Sequence, residues 1–321
     1  MNILFDGRSL ADPSSGGVKR VATGLLQELR KQRASITVAT SGTHRPPQID
    51  EHLGIPNKFL SIAFALGLTS LDQLFSSNSD ILFLPNIGWI GRPKKPYALI
   101  VHDLSFLIEP QWFSWKSRLW HRAIGAKRQI QNAKWIFAVS ETTKRDLVDL
   151  LNIPVERITV IPMGINNESI PPTANKPPRP FLLALGAKDP RKNASLSRLV
   201  AKETGLDLKL VGDDTLGRIS DKELDTLYAQ ATAFLYPSWY EGFGLPLHEA
   251  ARFGTPCIAS TAGALPETAP FGSVLASPAK PQHWVQAVSN ILAYPSAYQT
   301  QTDLKDWSEA VKKILGILLK D

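Results

Sequence analysis

The chain has 321 residues, 43% of them hydrophobic, so it can bury a sizeable core and is expected to form two domains. Its net charge of +7 favours an anionic partner, such as nucleotide phosphates, an anionic membrane surface or nucleic acid, without choosing among them. The single cysteine, Cys257, excludes an intramolecular disulfide framework and is expected to be a small buried core residue.

The beginning of the chain predicts a first β-strand at residues 3–5 rather than a signal peptide, because no basic segment precedes a long apolar one. Residues 59–68 are apolar, but they fall far short of the roughly 20 residues that span a bilayer. We therefore expect a cytoplasmic protein without a transmembrane helix.

The first half alternates strand-like and helical segments. After the first strand, Val18, Val21, Leu25 and Leu29 recur at the spacing of an amphipathic helix. Further buried strands are predicted at residues 36–39, 81–84, 98–101, 135–139 and 158–162. This alternation predicts an α/β domain with an open parallel sheet.

Two places in this half are candidates for ligand contacts. Lys19 and Arg20 fall in the first turn of the first long helix, where cations oppose the helix dipole unless an anion binds there. His102 and Asp103 follow the strand at residues 98–101, and ligands of open parallel sheets bind beyond the carboxyl ends of the strands. Solvated surface charge and a structural histidine are the alternatives.

Residues 111–134 mix aromatic and basic side chains. The basic residues of this segment include Lys116, Arg118, Arg122, Lys127 and Arg128, and the tryptophans are Trp112, Trp115 and Trp120. Tryptophan with basic side chains suits lipid head groups or a lipid-linked acceptor, so residues 112–128 predict an interfacial surface. The alternative is a helix whose aromatic side chains pack inward. Nucleic-acid binding is not predicted, because no helix-turn-helix, zinc-ligand or RNP pattern is recognised.

A proline-rich stretch separates the two halves. Residues 166–180 contain five prolines and few apolar residues, as expected of an interdomain linker. The sequence thus predicts a first domain at residues 1–165, a second at residues 181–302, and a C-terminal helix within residues 303–321.

The second half opens with a predicted strand at residues 181–185 and a cationic loop. Lys188, Arg191 and Lys192 cluster just before a helix that is predicted to begin at Ala194. Arginine offers a planar fork and lysine a compact charge, so Arg191 and Lys192 suit a diphosphate whose negative charge grows during a reaction. Surface charge is again the alternative.

A glycine-containing loop follows the predicted strand at residues 233–236. Gly242 and Gly244 allow backbone conformations that are closed to other residues, and Pro246 suits the first position of a helix predicted to stop at Gly254. The start of that helix offers unpaired N–H groups to ligand oxygens.

Two carboxylates lie eight residues apart across this helix start. Glu241 falls in the loop, and Glu249 lies about one turn into the helix. Carboxylates accept charge-assisted hydrogen bonds from sugar or ribose hydroxyls, so the pair favours a ligand rich in hydroxyl groups. Stabilisation of the helix dipole is the alternative role for Glu249.

Residues 237–250 read Pro-Ser-Trp-Tyr-Glu-Gly-Phe-Gly-Leu-Pro-Leu-His-Glu-Ala and are followed at 254–260 by Gly-Thr-Pro-Cys-Ile-Ala-Ser. This segment resembles the signature of the retaining group 1 glycosyltransferases of the GT-B fold, and Pro-Arg-Lys-Asn at 190–193 matches the phosphate-binding motif of a mannosyltransferase-like sub-group. The resemblance extends from the first strand to the last helix and is most specific over residues 181–267. It implies an α/β protein with two Rossmann-like domains facing across a cleft, the acceptor bound to the first and the donor nucleotide-sugar to the second.

The resemblance also implies site roles. The implied set is His102 and Glu241 as catalytic residues, Gly16, Gly17, Arg191 and Lys192 at the donor diphosphate, Gly242, Phe243, Gly244 and Leu245 at the donor sugar, and Glu249 at the ribose. Neither a metal nor a cofactor is expected, since the sequence lacks an Asp-x-Asp run and cations are available to neutralise the diphosphate.

Two features depart from the family pattern. Between Gly212 and Gly217 the chain has only a few residues where relatives carry about one strand-and-helix unit, which puts recognition of the nucleobase in doubt. Ala187 replaces an arginine that many relatives have.

The helix predicted after Asp306 packs back on the first domain in relatives.

These observations predict a retaining, metal-independent transferase that moves a hexose of mannose type from a nucleotide-diphosphate sugar to a glycan or lipid-linked acceptor. We expect it to act in the synthesis of cell-surface polysaccharide or lipopolysaccharide. We expect it in the cytoplasm, as a peripheral protein on the inner face of the cell membrane. Two other classes stay open: a sugar-nucleotide 2-epimerase of the same fold and a non-catalytic sugar-nucleotide-binding subunit.

Overall fold

The computed structural model describes residues 1–11, 16–43, 45–47, 49–75, 78–165, 179–212 and 216–320. The chain divides into two compact units: unit 1 comprises Met1–Asn166 and Lys305–Asp321, and unit 2 comprises Asn167–Leu304. Of the predicted linker at 166–180, all but residues 179 and 180 lie outside the described residues, as do residues 213–215 of the shortened segment.

Within its described residues, unit 1 is built on a seven-stranded parallel sheet of order β3-β2-β1-β4-β5-β6-β7. The strands are β1 (Asn2–Asp6), β2 (Ser35–Ser41), β3 (Glu51–Leu53), β4 (Ile81–Leu84), β5 (Tyr97–Val101), β6 (Trp135–Ala138) and β7 (Ile158–Val160). Every residue of β4, β5 and β6 is buried, which explains why these strands read as continuous apolar runs. The strand order reverses between β1 and β4.

Helices surround this sheet. They are α1 (Arg8–Ala11), α2 (Gly16–Lys31), α3 (Asn57–Ala65), α4 (Leu71–Leu74), α5 (Ser105–Ile108), α6 (Trp115–Ala123), α7 (Ala126–Asn132) and α8 (Glu141–Leu151), with the C-terminal helix, which is numbered α14 below. Val21, Leu25 and Leu29 of α2 are buried, as their spacing predicts. Ser140 caps α8 by accepting a hydrogen bond from the Thr143 amide.

Unit 2 contains, among its described residues, a five-stranded parallel sheet of order β12-β11-β10-β8-β9. The strands are β8 (Phe181–Leu185), β9 (Asp207–Val211), β10 (Ala233–Tyr236), β11 (Cys257–Ser260) and β12 (Val274–Ala276), and the helices are α9 (Ala194–Thr204), α10 (Asp221–Gln230), α11 (Leu245–Ala251), α12 (Leu265–Thr268) and α13 (Pro281–Ala293). Helix α10 begins with a capping box formed by Ser220 and Glu223. Helix α11 ends at Ala251, earlier than predicted, because the chain already turns ahead of Gly254, whose φ is +69°.

The C-terminal helix α14 (Ser308–Leu318) belongs to unit 1. Trp307, just before it, packs so tightly on α2 that a Cβ at Gly24 would lie 2.0 Å from the indole Nε1. The same indole also contacts a second glycine, Gly164, where a Cβ would lie 2.7 Å from Trp307 Cδ2. Glycine in the middle of α2 is therefore explained by packing.

No helix in the described part of the chain is both long and apolar enough to cross a membrane.

Candidate active site

In unit 2 the strand order reverses between β8 and β10, so the loops that follow these two strands leave the same edge side by side. The first loop carries Lys192 and the second carries Glu241. Lys192 Nζ lies 2.5 Å from Glu241 Oε1 and 2.7 Å from the hydroxyl oxygen of Tyr236. The predicted diphosphate cation and the predicted sugar carboxylate are thus joined in one ion pair, with side chains that are 18% and 15% exposed.

Local backbone geometry holds both partners of this ion pair. Gly186 has a φ of +78°, and a Cβ there would lie 2.5 Å from Lys192 Cγ, so only glycine lets the lysine cross this point. Behind Glu241, a Cβ at Gly263 would lie 2.6 Å from the Glu241 backbone nitrogen, and the Ala264 amide donates to the Glu241 carbonyl at 2.9 Å. The Lys192–Glu241 ion pair is therefore positioned by packed backbone rather than by flexible side chains alone.

Arg191 is oriented by Asp189, a residue that the sequence analysis did not assign. The guanidinium Nη2 donates to Asp189 Oδ2 at 2.8 Å and Nε donates to Oδ1 at 3.1 Å. Burial alone would raise the pKa of Asp189, but the hydrogen bonds and charge of Arg191 outweigh it, so the pKa is lowered and the carboxylate stays ionised. An Asp two residues before an Arg at the carboxyl end of a strand is a local signal that could have revealed this partner.

A backbone hydrogen bond from the Trp239 amide to the Arg191 carbonyl, 2.8 Å long, ties the two loops together. The predicted phosphate and sugar segments of unit 2 are consequently adjacent at the reversal point of the sheet, joined by this backbone hydrogen bond and by the Lys192–Glu241 ion pair.

Glu249 lies on α11 and is only 9% exposed. Its Oε2 accepts a hydrogen bond from the Tyr228 hydroxyl at 3.2 Å. Tyr228 is fully buried on α10, so the carboxylate has a fixed partner. Tyr228, like Tyr236, was missed because a tyrosine within an amphipathic or apolar run predicts only packing.

The segment between the two carboxylates forms the tight entry to α11. Gly244 has a φ of +99°, and a Cβ there would lie 2.6 Å from Leu265 Cδ2. Phe243 stacks on the His248 ring at 5.4 Å between centroids, and Leu245 begins the helix. Gly242, Phe243, Gly244 and Leu245 therefore occupy the loop that connects Glu241 with the helix of Glu249.

In unit 1, His102 stands just beyond β5, as predicted. Its Nε2 donates to the Pro85 carbonyl oxygen at 2.8 Å. Burial lowers the pKa of His102, and this outweighs the opposing effects of the Pro85 carbonyl and of Asp103. Because Nε2 carries the proton in the neutral ring, Nδ1 is left as a hydrogen-bond acceptor.

A cavity of about 850 Å³ opens where the strand order of unit 1 reverses, beyond the carboxyl ends of β1 and β4. Pro85, the partner of His102, contributes to its wall, together with Trp89 and Trp120. Asp6 and Arg8 also line the cavity and form an ion pair of 2.7 Å. Polar groups with two aromatic side chains are a lining that suits a polar ligand with apolar faces.

Gly16 and Gly17 are the exposed first residues of α2. Gly16 has a φ of +35°, whereas the φ of Gly17 lies outside the positive range that disfavours other residues. A Cβ at either position would meet no described atom within 4 Å. Packing among the described residues therefore gives no reason for glycine at position 17, in contrast to Gly24.

Helix α6, within the predicted interfacial segment at residues 112–128, is exposed. Helix α6 has no buried residue, and Trp115, Leu119 and Trp120 are 65%, 57% and 37% exposed. The alternative in which the aromatic side chains of this helix pack inward is therefore wrong for Trp115. Among the residues that the structure describes, no group of three or more His, Cys, Asp or Glu side chains is placed to hold a metal ion.

Two family models match the chain: Glycosyltransferase Family 4 over residues 15–169 and Glycosyl transferases group 1 over residues 214–313. The chain is 28% identical over 214 residues to the O-antigen chain mannosyltransferase B of Escherichia coli, covering 55% of this chain and 56% of that protein. It is also 28% identical over 223 residues to the O-antigen chain mannosyltransferase RfbU of Salmonella typhimurium, covering 62% of each. The chain thus spans less than two thirds of the length of these relatives.

Solved structures resemble the whole chain. Sucrose-phosphate synthase from Thermosynechococcus elongatus superposes with a TM-score of 0.75 at 21% identity, covering 100% of this chain and 98% of the other. Anabaena HepE, solved in complex with UDP and glucose, gives a TM-score of 0.65 at 16% identity and full coverage of both chains. At these identities the likeness concerns the fold, and it confirms the predicted class of two Rossmann-like domains of the GT-B type.

Proposed function

The chain belongs to the group 1 glycosyltransferases of the GT-B fold, and we propose that it transfers a mannose-type hexose, with retention of configuration, from a nucleotide-diphosphate sugar to a glycan or lipid-linked acceptor. The names of the O-antigen mannosyltransferases to which it is similar support the sugar and the pathway. The single observation that carries the chemistry is the ion pair of Lys192 with Glu241 at the reversal point of the unit 2 sheet.

The diphosphate of the donor would contact Arg191 and Lys192. Asp189 holds the guanidinium of Arg191, and Lys192 lies beside it in sequence, so two cations meet the charge that develops on the departing phosphate. These cations would take over the role that a divalent metal has in other transferases. Gly16 and Gly17, at the open start of α2, would let the diphosphate approach the backbone N–H groups of that helix.

Glu241 would hold hydroxyl groups of the transferred sugar as its ring flattens towards an oxocarbenium-like transition state. Its ion pair with Lys192 links the sugar contact to the phosphate contact, so a change of charge on the leaving group would alter the electrostatic potential at both contacts. Attack on the same face, with the departing phosphate taking the acceptor proton, retains the configuration. Gly242, Phe243, Gly244 and Leu245 would line the sugar beside Glu241, and Glu249 would accept hydrogen bonds from the ribose.

His102 would accept a hydrogen bond from the sugar through its free Nδ1, because burial keeps the ring neutral and Nε2 is engaged by Pro85. The neighbouring cavity of unit 1 would take the acceptor, with the rings of Trp89 and Trp120 against the faces of its sugars.

The protein would work in the cytoplasm, peripheral to the membrane that carries the acceptor. The exposed side chains Trp115 and Leu119 of α6, surrounded by cations in residues 112–128, suit the interface of an anionic membrane. Replacing Trp115 and Leu119 by serine should weaken sedimentation with anionic vesicles, and rising salt should do the same.

One incubation separates the proposed activity from the two other classes. Purified protein is mixed with a panel of nucleotide-diphosphate sugars, with and without lipid-linked acceptors. Acceptor-dependent product from a mannose donor supports the transferase. An isomerised donor would instead identify a 2-epimerase, and donor binding without turnover would identify an accessory subunit.

A further inference from the structure

Helix α3 of unit 1 has an apolar face that is not buried. It turns Leu60 and Phe64 inward, one turn apart, as an amphipathic helix does. Its opposite side is apolar as well, since Phe59, Ile62 and Leu66, just after the helix, are 62%, 51% and 68% exposed. A helix that is apolar on both faces requires a second apolar environment, which the described part of unit 1 does not supply.

Two cavities connect α3 with α6 and α7. Ile62 of α3 and Trp120 of α6 both line the 850 Å³ cavity at the sheet reversal. Phe64 of α3 shares a second cavity, of about 660 Å³, with Ile124 and with Arg128 of α7. Helices α3 and α6 therefore border the same two cavities, and the exposed side chains Ile62 and Trp120 line the larger one together.

The second cavity is strongly basic. Its charged lining residues are Arg92, Lys94, Lys95 and Arg128, and no acidic residue is among the described residues that line it. On the other side of α3, Lys58 lines the larger cavity, where the carboxylate of Asp6 is already engaged by Arg8. An apolar ridge between cations is the pattern of a helix that lies in the interface of an anionic membrane.

We propose that α3 and α6 together seat unit 1 on an anionic membrane. Phe59, Ile62 and Leu66 would enter the acyl-chain boundary, while Arg92 and Lys94 of the basic cavity bind lipid phosphate. A second copy of this chain is a poorer occupant, because a symmetric contact would bring the same cations face to face. The inference extends the membrane association proposed for α6 by a second helix and a head-group site.

The test compares two double variants. Phe59→Ser/Leu66→Ser removes the apolar face of α3, and Leu150→Ser/Phe271→Ser removes the same two residue types from exposed positions on α8 and in unit 2. Binding is measured by sedimentation with vesicles of phosphatidylcholine containing phosphatidylglycerol. We expect at least a tenfold loss of affinity for the α3 variant and less than a twofold change for the control.

Insertion is measured directly with a fluorophore. The only native cysteine, Cys257, is buried and its burial raises the thiol pKa to about 12, so a cysteine placed at position 66 would be labelled selectively. A polarity-sensitive label on Leu66→Cys should shift to the blue on vesicle binding, whereas a label on Leu150→Cys should not. The variant Arg92→Gln/Lys94→Gln should lose affinity for anionic vesicles and bind neutral vesicles as the wild type does.

These experiments use no donor, so they do not depend on transferase activity. Wild-type binding by the α3 variant, or a label at position 66 that stays in water, would overturn the role of α3 and leave the one proposed for α6. If the wild type forms a dimer without lipid that only the α3 variant abolishes, the occupant is a second copy and the inference is wrong. Absence of vesicle binding by the wild type would overturn both membrane proposals but leave the proposed glycosyl transfer standing.

Discussion

Replacing Glu241 by glutamine tests whether the ion pair with Lys192 is part of the catalytic machinery. The amide keeps the shape and one acceptor oxygen, but it removes the charge that lies 2.5 Å from the ammonium group. Because both side chains are less than one-fifth exposed, the lost charge-assisted hydrogen bond should lower the free energy of unfolding by about 2 kcal/mol. That corresponds to a fall in Tm of several degrees.

The fall in kcat should be much larger than the fraction of protein unfolded by this loss of stability could explain. If Glu241 contacts the sugar where charge develops, its replacement should depress kcat about 10²-fold or more at saturating donor and acceptor, far below the Tm. The double variant Lys192→Met/Glu241→Gln should lose less unfolding free energy than the sum of the two single variants, because each single variant leaves one charge of the pair without its partner and the double variant removes both charges.

A matched control separates catalysis from stability. Glu223→Gln makes the same substitution in the same unit and weakens the capping box of α10 at an exposed position. It should lower Tm moderately and leave kcat unchanged. If Glu241→Gln behaves like this control, with a lower Tm and kcat within threefold of the wild type, the ion pair is structural and the assigned role of Glu241 is refuted.

Four further results are expected. Glu249→Gln should chiefly raise the donor KM, since ribose contacts are similar in ground and transition states, and a collapse of kcat in steady-state kinetics would contradict this. Turnover should survive exhaustive EDTA treatment, and a loss restored by manganese would show that cations of the protein do not replace a metal. Gly17→Ala should raise the unfolding free energy by up to about 1 kcal/mol, because alanine favours the helix and meets no described atom. It should also raise the donor KM, because a bound diphosphate needs the open backbone at Gly17, and unchanged kinetics would remove Gly17 from the site. Since burial lowers the pKa of His102, its neutral form should prevail at neutral pH and kcat should fall only on acidification below the range in which an ordinary histidine titrates, a limb that His102→Gln should remove from the pH profile.

Much of the fold could be predicted from the sequence because its strands are apolar runs and its helices carry clear periodicity and caps. The strands β4, β8 and β10 lie at the predicted residues, and the capping box of α10 is present. The strands Glu51–Leu53 and Val274–Ala276 were not predicted, because each has only three residues and lies at a sheet edge. Cys257–Ser260 was quoted only as part of a motif, although it is a fully buried strand.

The candidate site was predictable in composition but not in connectivity. Sequence spacing brings Arg191 and Lys192 to one loop and Glu241 to another, yet only the sheet order places these loops side by side. The partners Asp189, Tyr228 and Tyr236 were missed, since a side chain that orients a functional group has no pattern of its own.

The exposed face of α3 was noted only as an apolar stretch too short to span a bilayer. Apolar residues on both sides of a short helix do not reveal which side is buried. That distinction needs the neighbouring sheet, against which Leu60 and Phe64 pack while Phe59 and Ile62 face outward.

The central claim is tested most directly by the anomeric configuration of the product. Purified protein is incubated with an α-linked mannose donor and a lipid-linked acceptor, and the new linkage is assigned by NMR spectroscopy. A retaining mannosyltransferase should give an α-linked mannose on the acceptor, with about 10²-fold less product when Glu241→Gln replaces the wild type at equal concentration and short reaction time. A β-linked product, or conversion of the donor without any transfer to the acceptor, would contradict the proposed function.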